Sequence, residues 1–325
     1  MPKFSEVELI SVVVPAFNSE SFISTTLERI ITSLESLGNP FEVVIVNDGS
    51  SDGTWKVLQQ LAKDDVRIIA INFLKNYGQH SAIMCGLRHS SGSYVVTLDD
   101  DLQNPPDEIP RLLNYCVEGD FDLVIGAFDM PKKARFRMIG TNVVNRLVTK
   151  VFDKRPDLRL STFRVIRRDV VERVCQSVNP APYITGELLF AAASISNLVV
   201  HHDERIVGKS TYSLFKIFEL MRRILFSYSI NLLRTACRIG VMISFFAFTL
   251  SVATTIRAMA VNRVVPGWTS TVTTISFFSG IIILLLSMIG EYLSIILLHT
   301  LGTPAYREAE IVKKGQNAYT GSTIL

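Results

Sequence analysis

The sequence predicts an α/β protein: a mainly parallel sheet with helices packed on it, followed by two membrane-spanning helices. Over residues 9–128, apolar runs of strand length alternate with helical stretches, as in successive βαβ units. These runs are almost continuously apolar, which is typical of strands buried on both faces. Beyond residue 212, two stretches without a charged residue are each long enough to cross a bilayer.

The first part of the chain supplies most of the predicted sheet. Pro15 ends the first apolar run, and the following helix carries a single apolar stripe until Gly38-Asn39-Pro40 stops it. Two prolines, Pro105 and Pro106, end the strand before the acidic cluster in the same way. Strands are predicted at Leu9–Val14, Phe41–Val46, Val66–Ile71, Tyr94–Leu98 and Leu123–Ala127, and helices at Ser21–Leu37, Trp55–Ala62, Gly78–His89 and Asp107–Val117.

Residues 129–212 carry weaker patterns. The chain shows no linker rich in Pro, Gly or Ser here, so we expect one globular domain over residues 1–212. Its further elements are predicted as a basic helix at Arg135–Val151, a strand at Ser161–Ile166, helices at Asp169–Gln176 and Ile184–Ala193, and a strand at Leu198–His202.

The C-terminal third predicts a membrane anchor. Residues 213–238 form an amphipathic basic stretch, which favours helices lying in the membrane interface over a helix packed in the core. Spans follow at about 239–258 and 267–290, and residues 291–325 are expected to form a second interfacial helix and a polar tail, loosely ordered beyond Tyr306. Arginines before the first span and lysines after the second place the globular domain in the cytosol.

Composition excludes several other classes. A net charge of +3 is too small to indicate nucleic acid as a partner. The four cysteines form no CxxC pair, so the spacing indicates neither a zinc site nor a disulfide framework. P-loop, GxGxxG, HExxH and GxSxG motifs are absent, and the first eight residues hold no apolar signal-peptide core. The histidines His80, His89, His201 and His202 lack spacing partners and are interpreted as structural.

Polar clusters end three of the predicted strands: Pro15–Asn18, Asn47–Ser50 and Asp99–Asp101. The carboxyl ends of parallel strands lie on one edge of a sheet, where α/β proteins bind their ligands. Asp48 can accept from a base or a ribose, and the turn from Gly49 to Gly53 lets a ligand approach the backbone. The carboxylates of Asp99 and Asp101 suit Mg²⁺ or Mn²⁺ held against phosphate oxygens. We therefore expect a nucleotide diphosphate at this edge.

These segments carry a family resemblance. In order and spacing, Val12–Glu20, Asn47–Thr54 and Leu98–Pro106 resemble the inverting family-two glycosyltransferases of GT-A fold. Asn76–Gly86, Leu102–Leu112 and the two-span end with Gly290-Glu291-Tyr292 are similar to membrane-bound polyprenyl-phosphate glycosyltransferases. That group includes dolichyl-phosphate mannose synthase, the bacteriophage O-antigen glucosyl carriers and the aminoarabinose transferase acting on undecaprenyl phosphate.

The resemblance implies a GT-A, Rossmann-like catalytic domain and assigns roles to individual residues. Three positions depart from the family's pattern: Asp100 stands where alanine is usual, Asn47 where aspartate is common, and Thr211 where lysine is usual. The implied metal ligands are Asp99, Asp101 and Gln103; the nucleotide site comprises Pro15, Phe17, Asn18, Asp48, Gly49, Asp99 and Asp100; the catalytic residues are Asp101, Arg164 and Arg205; and an active-site loop that contacts phosphate holds Gly208, Lys209, Ser210 and Tyr212.

The resemblance further implies the reaction. A metal-dependent, inverting transferase would move a sugar from a nucleotide donor, UDP-linked by expectation, to undecaprenyl phosphate at the cytosolic face of the bacterial inner membrane. The product would serve cell-envelope glycan modification, such as that of lipopolysaccharide or O-antigen, and a homotetramer is implied by the family. Glucose, N-acetylhexosamine, galactose and modified arabinose all remain open as the sugar. A processive polysaccharide synthase and a non-catalytic scaffold or flippase component are the alternatives.

Overall fold

A computed structural model of the chain describes residues 7–128, 158–177, 179, 182–201, 242, 245, 249, 267–300 and 304–320. The chain divides into two compact units, one formed by Met1–Tyr212 with Thr303–Leu325 and the other by Ser213–Gly302. The predicted helix Arg135–Val151 and the predicted interfacial stretch 213–238 lie outside the described residues.

Four parallel strands form the centre of the sheet in the first unit, in the order β4-β1-β2-β3. All seven residues of β1 are buried, as its unbroken apolar run predicts, because it is flanked by strands on both sides and covered on both faces. The elements are β1 (Ile10–Ala16), α1 (Ile23–Glu35), β2 (Phe41–Asn47), α2 (Thr54–Asp64), β3 (Ile68–Phe73), α3 (Gln79–His89), β4 (Tyr94–Thr97) and, after a 3₁₀ turn at Pro106–Glu108, α4 (Ile109–Glu118).

Each helix packs one apolar face against the sheet and thereby buries the core. In α1, the side chains of Ile23, Leu27, Ile30 and Leu34 are at most 1% exposed, as the spacing of three and four residues predicts. Each such side chain contributes roughly 1.5–3 kcal/mol by leaving water. The helices that follow β1, β2 and β3 thus fix the strands so that their carboxyl ends share one edge.

The sheet is mixed rather than mainly parallel. Strand β6 runs antiparallel to β4 and β5, whereas β5 and β7 are parallel. The expectation of a mainly parallel sheet is therefore correct for the centre and wrong for the flanks, because hydrophobic patterning does not encode strand direction. These elements are β5 (Leu123–Phe128), β6 (Arg164–Arg167), α5 (Arg168–Cys175), α6 (Ile184–Ala191) and β7 (Ile195–Val200).

The C-terminal residues complete the same sheet. Strands β8 (Glu308–Lys313) and β9 (Gln316–Thr320) form an antiparallel pair, and β8 lies antiparallel to β3. The complete order is β7-β5-β6-β4-β1-β2-β3-β8-β9. The expectation of a loosely ordered tail beyond Tyr306 is wrong for these strands, because the open edge of β3 supplies their backbone partners.

The second unit contains helix α7 (Trp268–Thr300), and residues 242, 245 and 249 are also helical. The helix continues without a break through Glu291, where a separate interfacial helix is expected from the sequence. A search of the described residues for a helix both long and apolar enough to cross a bilayer finds none. The first predicted span lies almost wholly outside the described residues, and the pair of membrane-spanning helices stays a prediction.

Candidate active site

The ends of β1 and β2 are joined by hydrogen bonds between the loops that follow them. The Asn18 backbone N–H donates to Ser50 Oγ at 2.9 Å, and the Ser51 N–H donates to Asn18 Oδ1 at 2.9 Å. Asn18 has a φ of 53°, in the left-handed region that asparagine tolerates better than most residues. Pro15 is buried within β1, whereas Phe17, the residue before Asn18, is 49% exposed.

Asp48 fixes a third loop to the same edge. Its side chain is buried, and Oδ1 accepts from the Tyr77 N–H at 2.7 Å while Oδ2 accepts from the Gly78 N–H at 2.9 Å. Burial raises the pKa of Asp48, and the two backbone donors act in the opposite direction. Asp48 therefore organises the loop between β3 and α3 with both oxygens engaged by protein.

Gly49 makes that organisation possible. Its φ is +64°, and a Cβ at this position would lie 2.5 Å from the Asn76 backbone nitrogen. The sequence predicts that this turn admits a ligand close to the backbone. In the structure the close approach is made by the chain's own segment at Asn76.

Asp99 follows β4 and lies between two polar side chains. Gln79 Nε2 donates to Oδ1 at 2.5 Å, and Thr162 Oγ1 donates to Oδ2 at 2.6 Å. Burial raises the pKa of Asp99 and the charge of Asp101 raises it further, while Thr162 and Arg164 act in the opposite direction. Such a carboxylate is oriented before any ligand arrives, and a bound cation would stabilise its ionised form.

Asp100 is turned away from Asp99, toward the loop after β1. Its Oδ2 accepts from Ser19 Oγ and from the Phe17 N–H, the latter at 3.3 Å, and its carbonyl accepts from Thr26 Oγ1 at 2.8 Å. Burial raises the pKa of Asp100 to about 7. The middle aspartate thus ties the acidic turn to the segment that holds Phe17.

The remaining members of the acidic turn shape its backbone. Asp101 Oδ1 accepts from the Gln103 N–H at 3.2 Å, and Leu102 between them adopts a φ of 59°. A left-handed leucine costs on the order of 1 kcal/mol, a strain that proteins retain mainly at functional sites. In the described part of the chain, the aspartates at 99–101 are not among the groups of three or more side chains close enough to share one ion.

This arrangement fits a Mg²⁺ or Mn²⁺ ion held by two carboxylates and by substrate oxygens. Magnesium sites commonly use one or two carboxylates, with substrate phosphates and waters completing the shell. Asp99 and Asp101 supply hard oxygen ligands, and the neighbouring negative charge that raises the pKa of Asp99 is what a cation would offset.

Arg164 is a buried cation beside Asp99. It lies in β6 opposite Thr97 and is 1% exposed. Its Nε contacts the Thr162 carbonyl and its Nη1 the Thr185 hydroxyl, both at 3.4 Å, and within the described residues Nη2 has no hydrogen-bond partner. Burial lowers the pKa of Arg164 to about 10, so it stays charged at neutral pH. A guanidinium with an unused donor fits a phosphate ligand.

Several residues that contact the site are missing from the sequence-based site, among them Ser19, Tyr77, Gln79 and Thr162. Tyr77 lies between the end of β3 at Phe73 and the start of α3, whose first residue is Gln79. The loops after the other parallel strands are selected from the sequence, and the same rule applied to β3 selects this loop. Thr162 precedes an antiparallel strand, and hydrophobic patterning gives no signal for it; only the family resemblance of Ser161-Thr162-Phe163-Arg164 points to this segment.

Part of the sequence-based site lies outside the described residues. This part is the loop of Arg205, Gly208, Lys209, Ser210 and Tyr212. The clusters after β1, β2 and β4, together with Arg164, lie at one edge of the sheet, joined by the contacts given above.

Comparison with known proteins addresses what this edge does. Residues 11–175 match the family described as "Glycosyl transferase family 2". The chain is 29% identical over 320 residues, 97% of each chain, to undecaprenyl-phosphate 4-deoxy-4-formamido-L-arabinose transferase of Salmonella paratyphi B. It is 30% identical over 318 residues, 96% of each chain, to the transferase of that name from Yersinia enterocolitica.

A solved structure gives a weaker likeness. Glucosyl-3-phosphoglycerate synthase of Mycobacterium tuberculosis, crystallised with Mn²⁺, uridine diphosphate and phosphoglyceric acid, is 21% identical, with a TM-score of 0.47 over 69% of this chain and 81% of that one. The family match covers half of the chain, and the alignment with named transferases covers nearly all of it. The chain therefore belongs to glycosyl transferase family 2 and is a glycosyltransferase.

Proposed function

We propose that this glycosyltransferase transfers a sugar from a UDP-linked donor to undecaprenyl phosphate, with inversion, at the cytosolic face of the bacterial inner membrane. The choice of undecaprenyl phosphate as acceptor is supported by the alignment of nearly the whole chain with transferases named for that lipid. Because the alignment includes the second unit as well as the sheet, it supports a shared acceptor as well as a shared catalytic domain.

The donor would lie across the carboxyl edge. The exposed Phe17 ring offers a stacking face for a base, and Asn18 holds the loops on either side of that face in one arrangement. Arg164 would take a phosphate oxygen on its unused Nη2. In this arrangement the sugar would lie beyond the diphosphate, toward the acidic turn.

Asp99 and Asp101 would hold Mg²⁺ or Mn²⁺, which stabilises the charge of a departing diphosphate when bound. Thr162 and Gln79 keep the Asp99 carboxylate in one orientation, so little reorganisation is needed on binding. A lipid phosphate is already an anion at neutral pH and is itself the nucleophile. The chain then needs positioned positive charge more than a strong general base, which agrees with the buried Arg164 beside the site.

Membrane attachment is supported by the surface of α7. Large apolar side chains along this helix are 46–61% exposed, which is unusual for a surface facing water. They are Ile275, Ile282, Leu286, Ile289, Leu293, Ile296 and Leu297. We propose that these side chains face lipid, which would keep the catalytic unit where a lipid phosphate acceptor lies.

A transfer assay tests the proposal. Full-length protein in detergent would be incubated with undecaprenyl phosphate, Mg²⁺ or Mn²⁺ and a panel of radiolabelled nucleotide sugars that includes UDP-linked glucose, N-acetylhexosamine, galactose and modified arabinose. We expect label in the lipid fraction with at least one donor, and its loss when the metal is chelated.

Variants sharpen the assay. Asp99→Asn and Asp101→Asn preserve shape but remove charge, and we expect each to lower the rate about 100-fold or more. The control is Asp107→Asn, which removes an exposed carboxylate paired with Arg29 at 2.7 Å. A panel in which no donor labels the lipid, or an Asp101→Asn enzyme with full activity, contradicts the proposal.

A further inference from the structure

A second cluster of ligating side chains lies outside the active site, between α3 and β8. Cys85 Sγ lies 3.3 Å from Glu308 Oε1, and His89 Nε2 lies 2.9 Å from the same oxygen. The ligand atoms of the three residues all fall within 4.8 Å of one another. Among the described residues, this is the one group of three His, Cys, Asp or Glu side chains that is so compact.

The fold builds this cluster from distant parts of the chain. Cys85 and His89 are four residues apart on α3, so they share one helix face. Glu308 begins β8, where it pairs with Phe73 at the end of β3. The three side chains meet only because β8 joins the edge of β3, 223 residues after Cys85.

The chemistry of the trio is that of a borderline-soft metal site. Cys85 is fully buried, and the side chains of His89 and Glu308 are 25% and 17% exposed. A sulfur, an imidazole nitrogen and a carboxylate oxygen together favour Zn²⁺ over Mg²⁺ or Ca²⁺. Tetrahedral bonds of about 2.0–2.3 Å separate ligand atoms by roughly 3.2–3.7 Å. The 2.9 and 3.3 Å distances to Glu308 Oε1 therefore need to open by only a few tenths of an ångström, while the Cys85 sulfur and a His89 ring nitrogen lie within 4.8 Å of each other.

We propose that Cys85, His89 and Glu308 form a zinc site with water in the fourth position. On binding, the Cys85 thiol releases its proton to solvent and the thiolate takes one coordination position. The thiolate and the carboxylate then offset the two charges of the ion, while His89 ligates as the neutral imidazole. A filled site of net charge zero is compatible with its burial.

The neighbours of the cluster close it on one side. Tyr306 stacks on Phe73 with ring centroids 5.0 Å apart, and Arg88 Nη1 donates to the Tyr306 hydroxyl at 3.3 Å. Burial and the Glu308 charge raise the pKa of the Cys85 thiol, which donates a hydrogen bond to Glu308 Oε1. The ion would replace the hydrogen bonds of Cys85 and His89 to Glu308 by coordination bonds, and would cross-link α3 to the antiparallel pair of β8 and β9.

Metal content and cobalt absorption test the site without reference to sugar transfer. The full-length protein in detergent would be stripped with a chelator and dialysed against Zn²⁺ in excess Mg²⁺, which occupies oxygen-ligand sites. We expect about one zinc ion per chain. We also expect a thiolate-to-cobalt charge-transfer band when Co²⁺ replaces Zn²⁺.

The matched control is another buried cysteine. Cys116 also donates its thiol to an oxygen at 3.3 Å, the Phe121 carbonyl, but it lies outside the trio. Cys85→Ser should abolish the cobalt band and weaken zinc binding at least about tenfold, whereas Cys116→Ser should change neither. Equal losses in the two variants, or zinc content unaffected by Cys85→Ser, overturn the site.

A second variant, at the partly exposed ligand His89, tests the site even if Cys85→Ser does not fold. His89→Gln keeps a hydrogen-bond donor for Glu308, so we expect it to unfold near the wild-type temperature in the presence of chelator. Zn²⁺ should raise the unfolding temperature of the wild type and leave that of His89→Gln unchanged. A wild-type protein that neither retains zinc nor gains stability from it shows that the trio is only a hydrogen-bonded anchor.

Discussion

A single side chain, Asp100, couples two parts of the site that are distant in sequence. Its carboxylate receives hydrogen bonds from Ser19 and the Phe17 backbone, and its carbonyl receives one from Thr26. The aspartates on either side of it are the proposed metal ligands. Asp100 therefore positions the loop after β1 relative to the acidic turn, and a side chain without an acceptor oxygen would leave the Ser19 hydroxyl and the Phe17 N–H without this partner.

Removing this coupling should weaken donor binding more than it slows the chemical step. We expect Asp100→Ala to raise the KM for the nucleotide sugar about 10- to 100-fold, because it leaves the Ser19 hydroxyl and the Phe17 N–H without this acceptor, with a smaller change in kcat. Asp100→Asn keeps an acceptor oxygen and should lie between the two. Steady-state kinetics measures both constants, and a fall in kcat at unchanged KM would show that Asp100 acts on the reacting groups.

The residues at strand ends could be predicted from the sequence, but their contacts could not. A strand followed by Asn, Asp or Gly is visible in the sequence, and parallel strands align such ends. Whether a carboxylate such as Asp48 meets ligand or protein depends on a loop from another strand, here at Tyr77 and Gly78. Local patterning contains no information about that loop's path.

At the scale of elements, the antiparallel strand β6 is held in the sheet by an ion pair between the half-buried Arg167 and the buried Asp122. Asp122 is 4% exposed; its Oδ2 accepts from the Ala193 N–H at 2.7 Å and the Ser194 N–H at 3.1 Å, and its Oδ1 pairs with Arg167. The carboxylate thus joins the start of β5, the end of β6 and the turn before β7. The direction of β6 could not be predicted from the sequence, because the contacts of Asp122 that hold it join residues far apart in the chain.

Asp122→Asn should cost roughly 1–3 kcal/mol of unfolding free energy, because a buried amide cannot accept from both the Arg167 guanidinium and the two backbone N–H groups. The control is Asp120→Asn: Asp120 contacts the same arginine at 3.2 Å but is 61% exposed, and exposed pairs are worth at most about 1 kcal/mol. Denaturant unfolding of both variants measures the difference. A similar loss of unfolding free energy in the two variants would mean that Asp122 does not hold β6 in the sheet.

At the scale of the whole molecule, the catalytic sheet is discontinuous in sequence. Residues 213–302 form one unit, and the chain then returns to add β8 and β9 to the first unit. Trp55 and Gln59 of α2 donate to Glu310 at 3.2 and 3.0 Å, which fixes β8 from the helix side as well. The pairing of β8 with β3 could not be predicted from the polar, charged sequence of β8, because β3 lies more than 200 residues earlier in the chain.

A fragment ending at residue 212 should therefore fold poorly, because the edge of β3 is left open to other chains. We expect residues 1–212 to aggregate, and a fusion of residues 1–212 to 303–325 through a Gly/Ser linker to stay monomeric with cooperative unfolding. A fusion in which Ile311 and Val312 are replaced by proline is the control, since proline cannot pair with β3. Size-exclusion chromatography and thermal unfolding compare the three; a well-behaved 1–212 fragment contradicts the expectation.

The C-terminal hairpin also has a consequence for the order of synthesis. Strands β8 and β9 leave the ribosome after residues 213–302, so β3 waits for its neighbour while that whole unit is being translated. During this interval the growing chain presents an unsheltered strand, which chaperones recognise and which neighbouring nascent chains can capture. The sheet is completed only when translation has passed residues 213–302, so that its last two strands join after the second unit has been made.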